Sequence, residues 1–271
     1  MYFFRPLASR RKGAECGVPI LMYHSISEAS EKGHPYFHTR TSPARFARQM
    51  RFLREGGYST LALRDLPRIF SGQLSEISKP VVITFDDGYR DFFTHAFPKL
   101  DENGFTATMF LPSSFVGVPR LRLNQIECMT WEEVRELDRA GIEFGSHTVT
   151  HPQLASLPSR EVEAELRVSK EVIENRIGKP VTCFSYPYAF PETDGPFVEL
   201  LKNTLVGCGY RIGVSTIIGT AAPNDRLFCL RRLPVNSADD LPLFQAKLEG
   251  GYDWLHGLQR LKKTIHRMVA V

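Results

Sequence analysis

Helical and strand-like segments alternate along the 271 residues. This predicts an α/β fold in which a parallel sheet carries helices on its outside, either as a barrel or as an open doubly wound sheet. Two observations carry that prediction. Short apolar runs such as Val81-Val82-Ile83 read as strands buried on both faces, and capped helical patterns fall between them. No internal repeat, low-complexity tract or linker interrupts the series.

Taken in order, Ile20-Leu21-Met22-Tyr23 is the first strand-like run, and it ends on His24-Ser25. Pro43 opens a helix behind Thr41-Ser42, with Phe46, Met50 and Leu53 on one face and Gly56-Gly57 as its stop. Val81 to Phe85 is a buried strand, Asp91 to Asn103 a helix stopped near Gly104, and Phe105 to Leu111 the next strand. Thr130-Trp131-Glu132-Glu133 is a capping box whose helix ends before Gly141. Ile142 to Gly145 is a short strand. Ser159 caps a long charged helix that runs to about Ile177 and closes at Gly178. Val181 to Ser185 is a strand, Phe197 to Val206 a helix, and Tyr210 to Val214 a strand. Ser237 starts a helix toward Leu248, and Tyr252 to Met268 is a last, basic amphipathic helix.

Bulk composition narrows the function classes. An apolar share of 42% and a charged share of 24% are those of an ordinary globular chain. Net charge is only +4, and the basic clusters Arg10-Arg11-Lys12 and Arg260 to Lys263 are short, so nucleic acid is not an expected partner. No G-x-G-x-x-G or P-loop follows a strand, so nucleotide binding has no support. Five scattered cysteines argue against a disulfide framework or a thiolate zinc site. Met1 to Leu7 lacks an apolar core for export, and no stretch reaches the ~20 apolar residues that span a bilayer. The expected location is therefore cytoplasmic, with membrane contact through the last basic helix as a peripheral option.

Chemistry in such folds gathers at the C-terminal ends of strands. One strand end carries Asp86-Asp87, two adjacent carboxylates that repel each other and call for a cation or a shared proton. A second is Ser146-His147-Thr148-Val149-Thr150-His151-Pro152. Histidines four apart can share one side of a helical turn and suit one metal, although Pro152 requires that turn to end at His151. One carboxylate and two imidazoles leave coordination positions open for water and substrate. The remaining ends are Ser185-Tyr186-Pro187-Tyr188 and His24-Ser25. His34 and His38 read as loop histidines, and Trp131 as core.

Thr84-Phe85-Asp86-Asp87-Gly88 together with His147 to His151 resembles the polysaccharide deacetylases of the NodB-homology type, carbohydrate esterase family four. The resemblance spans roughly residues 18 to 248. It implies a distorted (β/α) barrel in a single domain over 18–250, with residues 1–17 as an arm and 251–271 as the terminal helix. It further implies Asp86 as catalytic base, and Asp87, His147 and His151 as ligands of a divalent metal. Zinc suits that donor set, and cobalt, nickel or iron also fit. Pro187-Tyr188 matches the substrate-binding motif whose Tyr188 N–H faces the oxyanion, but Ser185 stands where the family carries the arginine that orients the base. Arg232, in Leu230 to Val235, is the suggested replacement from another strand. The usual C-terminal Leu-His motif is also missing. Leu21-Met22-Tyr23-His24 instead resembles the poly-N-acetylglucosamine deacetylases with permuted motifs, which implies His24 as the acid.

The implied activity is metal-dependent removal of N-acetyl, or O-acetyl, groups from an acetylated amino-sugar polymer or oligomer. Two alternatives stay open: a metal amidohydrolase acting on a small non-sugar amide, and a non-catalytic glycan-binding module. An oxygenase with two His and one carboxylate would have no use for Asp86.

Overall fold

The computed structural model describes residues 17–28, 31–34 and 38–260. Its frame is β1 (Ile20–Tyr23), β2 (Ser59–Leu61), β3 (Pro80–Phe85), β4 (Thr108–Leu111), β5 (Glu143–Ser146), β6 (Cys183–Ser185), β7 (Ile212–Ile218) and β8 (Leu230–Pro234). Neighbours run β1-β8-β7-β6-β5-β4-β3, all parallel, and β1 pairs back onto β3 through Ile20↔Val82 to Tyr23↔Phe85. Seven strands therefore close a barrel, as the family resemblance implied. The eighth, β2, lies outside the ring. It takes the first half of the β3 edge whose second half pairs with β4.

Side chains alternate across each strand, so one row lines the barrel and the other meets the helices. Ile20, Val82, Phe110, Cys183, Ile212, Val214 and Leu230 form the inner cluster. The helices are α1 (Pro43–Glu55), α2 (Leu66–Phe70), α3 (Phe97–Glu102), α4 (Trp131–Arg139), α5 (Ser159–Ile177) and α6 (Gly195–Gly207), and the outer row, including Leu21, Ile83, Phe85, Met109, Phe144 and Phe184, packs against α1, α4, α5 and α6. The helices earn their register from the apolar spacing. Phe46, Met50 and Leu53 of α1 are fully buried, and truncating such a phenylalanine costs ~3–5 kcal/mol. Gly145 of β5 has no substitute, because a Cβ there would lie 2.5 Å from the Phe110 ring that crosses the barrel.

Several elements differ from the sequence reading. The expected Asp91 to Asn103 helix is a π-turn over Phe92–Ala96 that passes into a short helix, Phe97–Glu102. Pro98 cannot donate a backbone hydrogen bond, so a regular ladder could not run through it. The last capped helix runs over Leu241–Leu248 rather than from Ser237. Asp240 caps it by accepting from Leu243 N at 2.9 Å, while Ser237 Oγ accepts from Ser42 N at 2.8 Å. Trp131 belongs to the core, with Arg176 over its ring at 5.6 Å.

The helix expected over Tyr252 to Met268 begins with a turn over 252–254 and is helical at 255–260; its part beyond 260 lies outside the described residues, as does the arm before residue 17. The described part docks on the end of β7. Asp253 accepts from Thr220 N and Oγ1 at 2.8 Å, and Gln259 bonds Ile218 N and Thr216 O at 3.1 and 3.0 Å. No described helix is long and apolar enough to cross a membrane.

Candidate active site

Alternation along β3 sets the first site residue. Val82 and Thr84 point into the barrel, and Asp86 continues that row just past the strand end, buried to 2% exposure. It meets Arg232, which points inward from β8 and is fully buried. Arg232 Nη1 donates to Asp86 Oδ1 at 2.8 Å and Nη2 to Oδ2 at 2.7 Å, the bidentate fork that suits a guanidinium to a carboxylate. The remaining Arg232 donors are also paired: Nε to Ser215 O at 2.9 Å, Nη1 to Thr84 Oγ1 at 3.2 Å and Nη2 to Ser185 Oγ at 3.0 Å. Ser185 Oγ donates in turn to Asp86 Oδ1 at 3.2 Å. The small serine at the family's arginine position thus stands beside an arginine that arrives from β8.

Asp87 would alternate outward, but its backbone is left-handed at φ 74, and its carboxylate ends among the two histidines. His147 Nε2 stands 3.4 Å and His151 Nε2 3.2 Å from Asp87 Oδ1. His147 Nδ1 lies 2.8 Å from the Ser185 carbonyl, so Nδ1 carries the hydrogen and Nε2 presents its lone pair. The ligand atoms of Asp87, His147 and His151 all lie within 4.8 Å of one another, and all three residues are buried. Two ligands of one tetrahedral cation, each at ~2.0–2.1 Å, stand about 3.3 Å apart. The residues present therefore fit a small divalent metal.

The histidine pair is not on a helical turn, the arrangement that its spacing allowed. Residues 147–153 form a loop in which Thr148 (φ 70) and His151 (φ 56) are both left-handed. Pro152 keeps His151 from the right-handed helical region, and the left-handed pair folds the loop back on itself. Tyr188 is left-handed as well, at φ 59. Four of the seven left-handed non-glycine residues among those described lie at this site, at ~1–3 kcal/mol each, so backbone strain is concentrated there.

Electrostatics separate the two carboxylates. Burial pushes Asp86 up, but the Arg232 charge, helped by His147 and His24, leaves its carboxyl below the ordinary value of 3.8. Burial also pushes Asp87 up, and the neighbouring His147 and His151 imidazoles bring it well below that value. His147 is pulled down by burial and lifted more by Asp86 and Asp87, so its net shift is upward.

The other expected residues surround this pair. His24 Nε2 is 4.0 Å from Asp86 Oδ2, and its side chain is 19% exposed at the barrel mouth. Pro187 is buried and Tyr188 is half exposed, its ring 4.7 Å from that of His151. Among the described residues the Tyr188 N–H has no hydrogen-bond acceptor, whereas its carbonyl accepts from Thr216 Oγ1 at 3.1 Å. Thr216 Oγ1 also accepts from Phe190 N at 2.8 Å, and so ties both ends of the Tyr188 turn. His38 is partly buried rather than an open loop residue, and its carbonyl accepts from Asn236 Nδ2 at 3.1 Å. Thr84 and Thr216 had no marked role in the sequence. Ser185 carried a signal, as the residue standing in the arginine position.

The buried carboxylates and imidazoles gather at the C-terminal strand ends of a closed parallel barrel, where folds of this class carry their active sites. The polysaccharide deacetylase family model matches residues 75–204. YxkH of Bacillus subtilis, a protein named for that family, is 30% identical over 232 residues, 86% of this chain and 76% of its own length. The chain belongs to the polysaccharide deacetylase family. Its fold is shared with a Streptococcus pyogenes deacetylase, PplD, solved with acetate: TM-score 0.75 at 23% identity, covering 86% of this chain and 99% of that one. The poly-beta-1,6-N-acetyl-D-glucosamine N-deacetylase of Escherichia coli is 29% identical over 141 residues, which is 49% of this chain but only 20% of that protein.

Proposed function

We propose that this chain is a metal-dependent hydrolase that removes N-acetyl groups from an amino-sugar polymer or glycan precursor. The observation that carries the reading is the split between neighbouring carboxylates. Asp87 faces two imidazoles, and Asp86 faces Arg232. A binding module has no need of a second carboxylate held ionised beside a metal site. The partial likeness to an N-acetylglucosamine polymer deacetylase favours an acetylated amino sugar as substrate.

Asp87, His147 and His151 would hold the cation, for which zinc suits the donor set best. Bound there, a divalent metal supplies Lewis-acid activation of water and of the acetyl carbonyl. Asp86, ionised and fixed by Arg232, takes the proton of the attacking water. The Tyr188 N–H donates to the carbonyl oxygen as negative charge develops on it. His24 gives a proton to the departing nitrogen, so a C–O bond forms, the amide C–N bond breaks, and acetate and a free amine leave. Acetyl esters would use the same groups. In this reading residues 18–250 are the catalytic unit.

The test is acetate release from chito-oligomers and from poly-N-acetylglucosamine oligomers, with cyclic imides as the non-sugar comparison. Acetate from the sugars that stops on chelation and returns with zinc is the expected result. Turnover of cyclic imides alone would favour the small-amide alternative. Sugar binding without any acetate release would favour the glycan-binding module.

A further inference from the structure

The two histidines of the site are held by different means. His147 has its backbone N–H on Leu111 O at 2.9 Å and its Nδ1 on Ser185 O, so both backbone and ring are fixed. A metal-binding histidine ordinarily secures its far ring nitrogen in this way. His151 does not. Its Nε2 faces Asp87, and its Nδ1 is buried with no hydrogen-bond partner among the described residues. The orientation of its ring must therefore come from its backbone and from packing against Tyr188.

That backbone is left-handed and needs an external hold. One comes from Thr148, whose hydroxyl accepts from His151 N at 3.0 Å and donates to His147 O. The other comes from Glu165 on α5, sixteen residues beyond Val149 in sequence. Glu165 Oε2 accepts from Val149 N at 2.7 Å and from Thr150 N at 2.9 Å, and Oε1 accepts from Thr150 Oγ1 at 2.7 Å. A carboxylate that takes two consecutive N–H groups and a hydroxyl fixes the peptide planes between the two ligands, with charge-assisted bonds. It spans the residues that link His147 to His151 and touches neither imidazole.

We propose that Glu165 is a positioning residue for the metal site: it clamps the 148–150 turn and thereby aims His151, which lacks a ring partner of its own. The inference rests on the metal reading above. A buried ligand without this support keeps its chemistry but presents it in more than one orientation, so the cost falls on cation affinity. Outer partners of metal ligands typically contribute ~10- to 100-fold in affinity.

The experiment is a competition titration of zinc into the full-length chain, as wild type, Glu165→Ala and Glu165→Gln, with the melting temperature of the metal-free form measured alongside. Glu165→Ala is expected to weaken zinc binding about tenfold or more, with Glu165→Gln between it and wild type because the amide keeps one acceptor. Activity of Glu165→Ala should recover at raised zinc while the metal-free melting temperature stays near that of wild type, a combination that a loss of general stability would not give. Should Glu165→Ala fail to fold, Glu165→Gln and Thr150→Val, which removes one donor at an exposed position, carry the same comparison. Zinc affinity within twofold of wild type in the folded variants overturns the clamp. Absence of zinc binding by the wild type overturns the metal reading itself, a distinct result.

Discussion

Arg232 and Asp86 form a fully buried two-pronged ion pair across 146 residues of sequence, with N–O distances of 2.8 and 2.7 Å. Removing one partner of a buried pair leaves the other charge uncompensated, at a cost of ~3–5 kcal/mol. Arg232→Met should therefore lower stability by about that amount in urea unfolding. Arg232→Met combined with Asp86→Asn should recover much of it.

The same pair sets a pH dependence. Asp86 titrates below its ordinary value because Arg232 opposes burial, so it is ionised well below neutrality. Its depressed value contributes stability that is present above the unfolded carboxyl value and lost as pH falls through the folded one. Arg232→Gln removes the cation and lets burial raise Asp86. The acid limb of the rate profile should then move to higher pH, and an unmoved limb would count against Asp86 as the base.

His24 stands at the barrel mouth, 4.0 Å from Asp86. As the acid it matters only where the leaving group needs a proton. His24→Ala should slow amide substrates by ~10²–10⁴-fold and activated acetyl esters far less. Equal losses on both would point to a role in binding or folding.

Thr216 ties the carbonyl of Tyr188 to the N–H of Phe190. Losing that tie should loosen the left-handed turn that aims the Tyr188 N–H. Thr216→Val should reduce kcat by about 10- to 100-fold with KM little changed, and Thr216→Ser should retain activity. A change confined to KM would contradict this.

Glu143, at the start of β5, is buried and accepts from Leu63 N at 2.8 Å and Thr108 Oγ1 at 2.6 Å. Burial outweighs these bonds and raises its carboxyl above the ordinary 4.5. The native state then holds a proton that the unfolded chain has released, so this group's contribution falls as pH rises from 4.5 through the folded value. Urea midpoints measured from pH 4 to 8 should show that decline in wild type and a flatter profile in Glu143→Gln.

The barrel strands and the paired acids were legible in the sequence because their signals are local. A continuous apolar run marks a doubly buried strand, and adjacent carboxylates at its end mark a site. The form of the turn carrying His147 and His151 was not legible, because side-chain-bearing residues seldom adopt a left-handed backbone, and Thr148 and His151 both do. The π-turn before Pro98 was hidden for a related reason, since a helical pattern does not reveal which donor is missing. Glu165 and Thr216 come from the next helix and the next strand, α5 and β7, and only the packing of those elements against the loops brings them to the backbone groups they hold.

The most direct test of the division between the two carboxylates is the zinc content of purified Asp86→Asn and Asp87→Asn, measured as metal per chain beside wild type. Asp86→Asn should keep wild-type zinc while releasing no acetate, and Asp87→Asn should lose the metal. Zinc retained at wild-type level in Asp87→Asn, or lost from Asp86→Asn, would contradict the account.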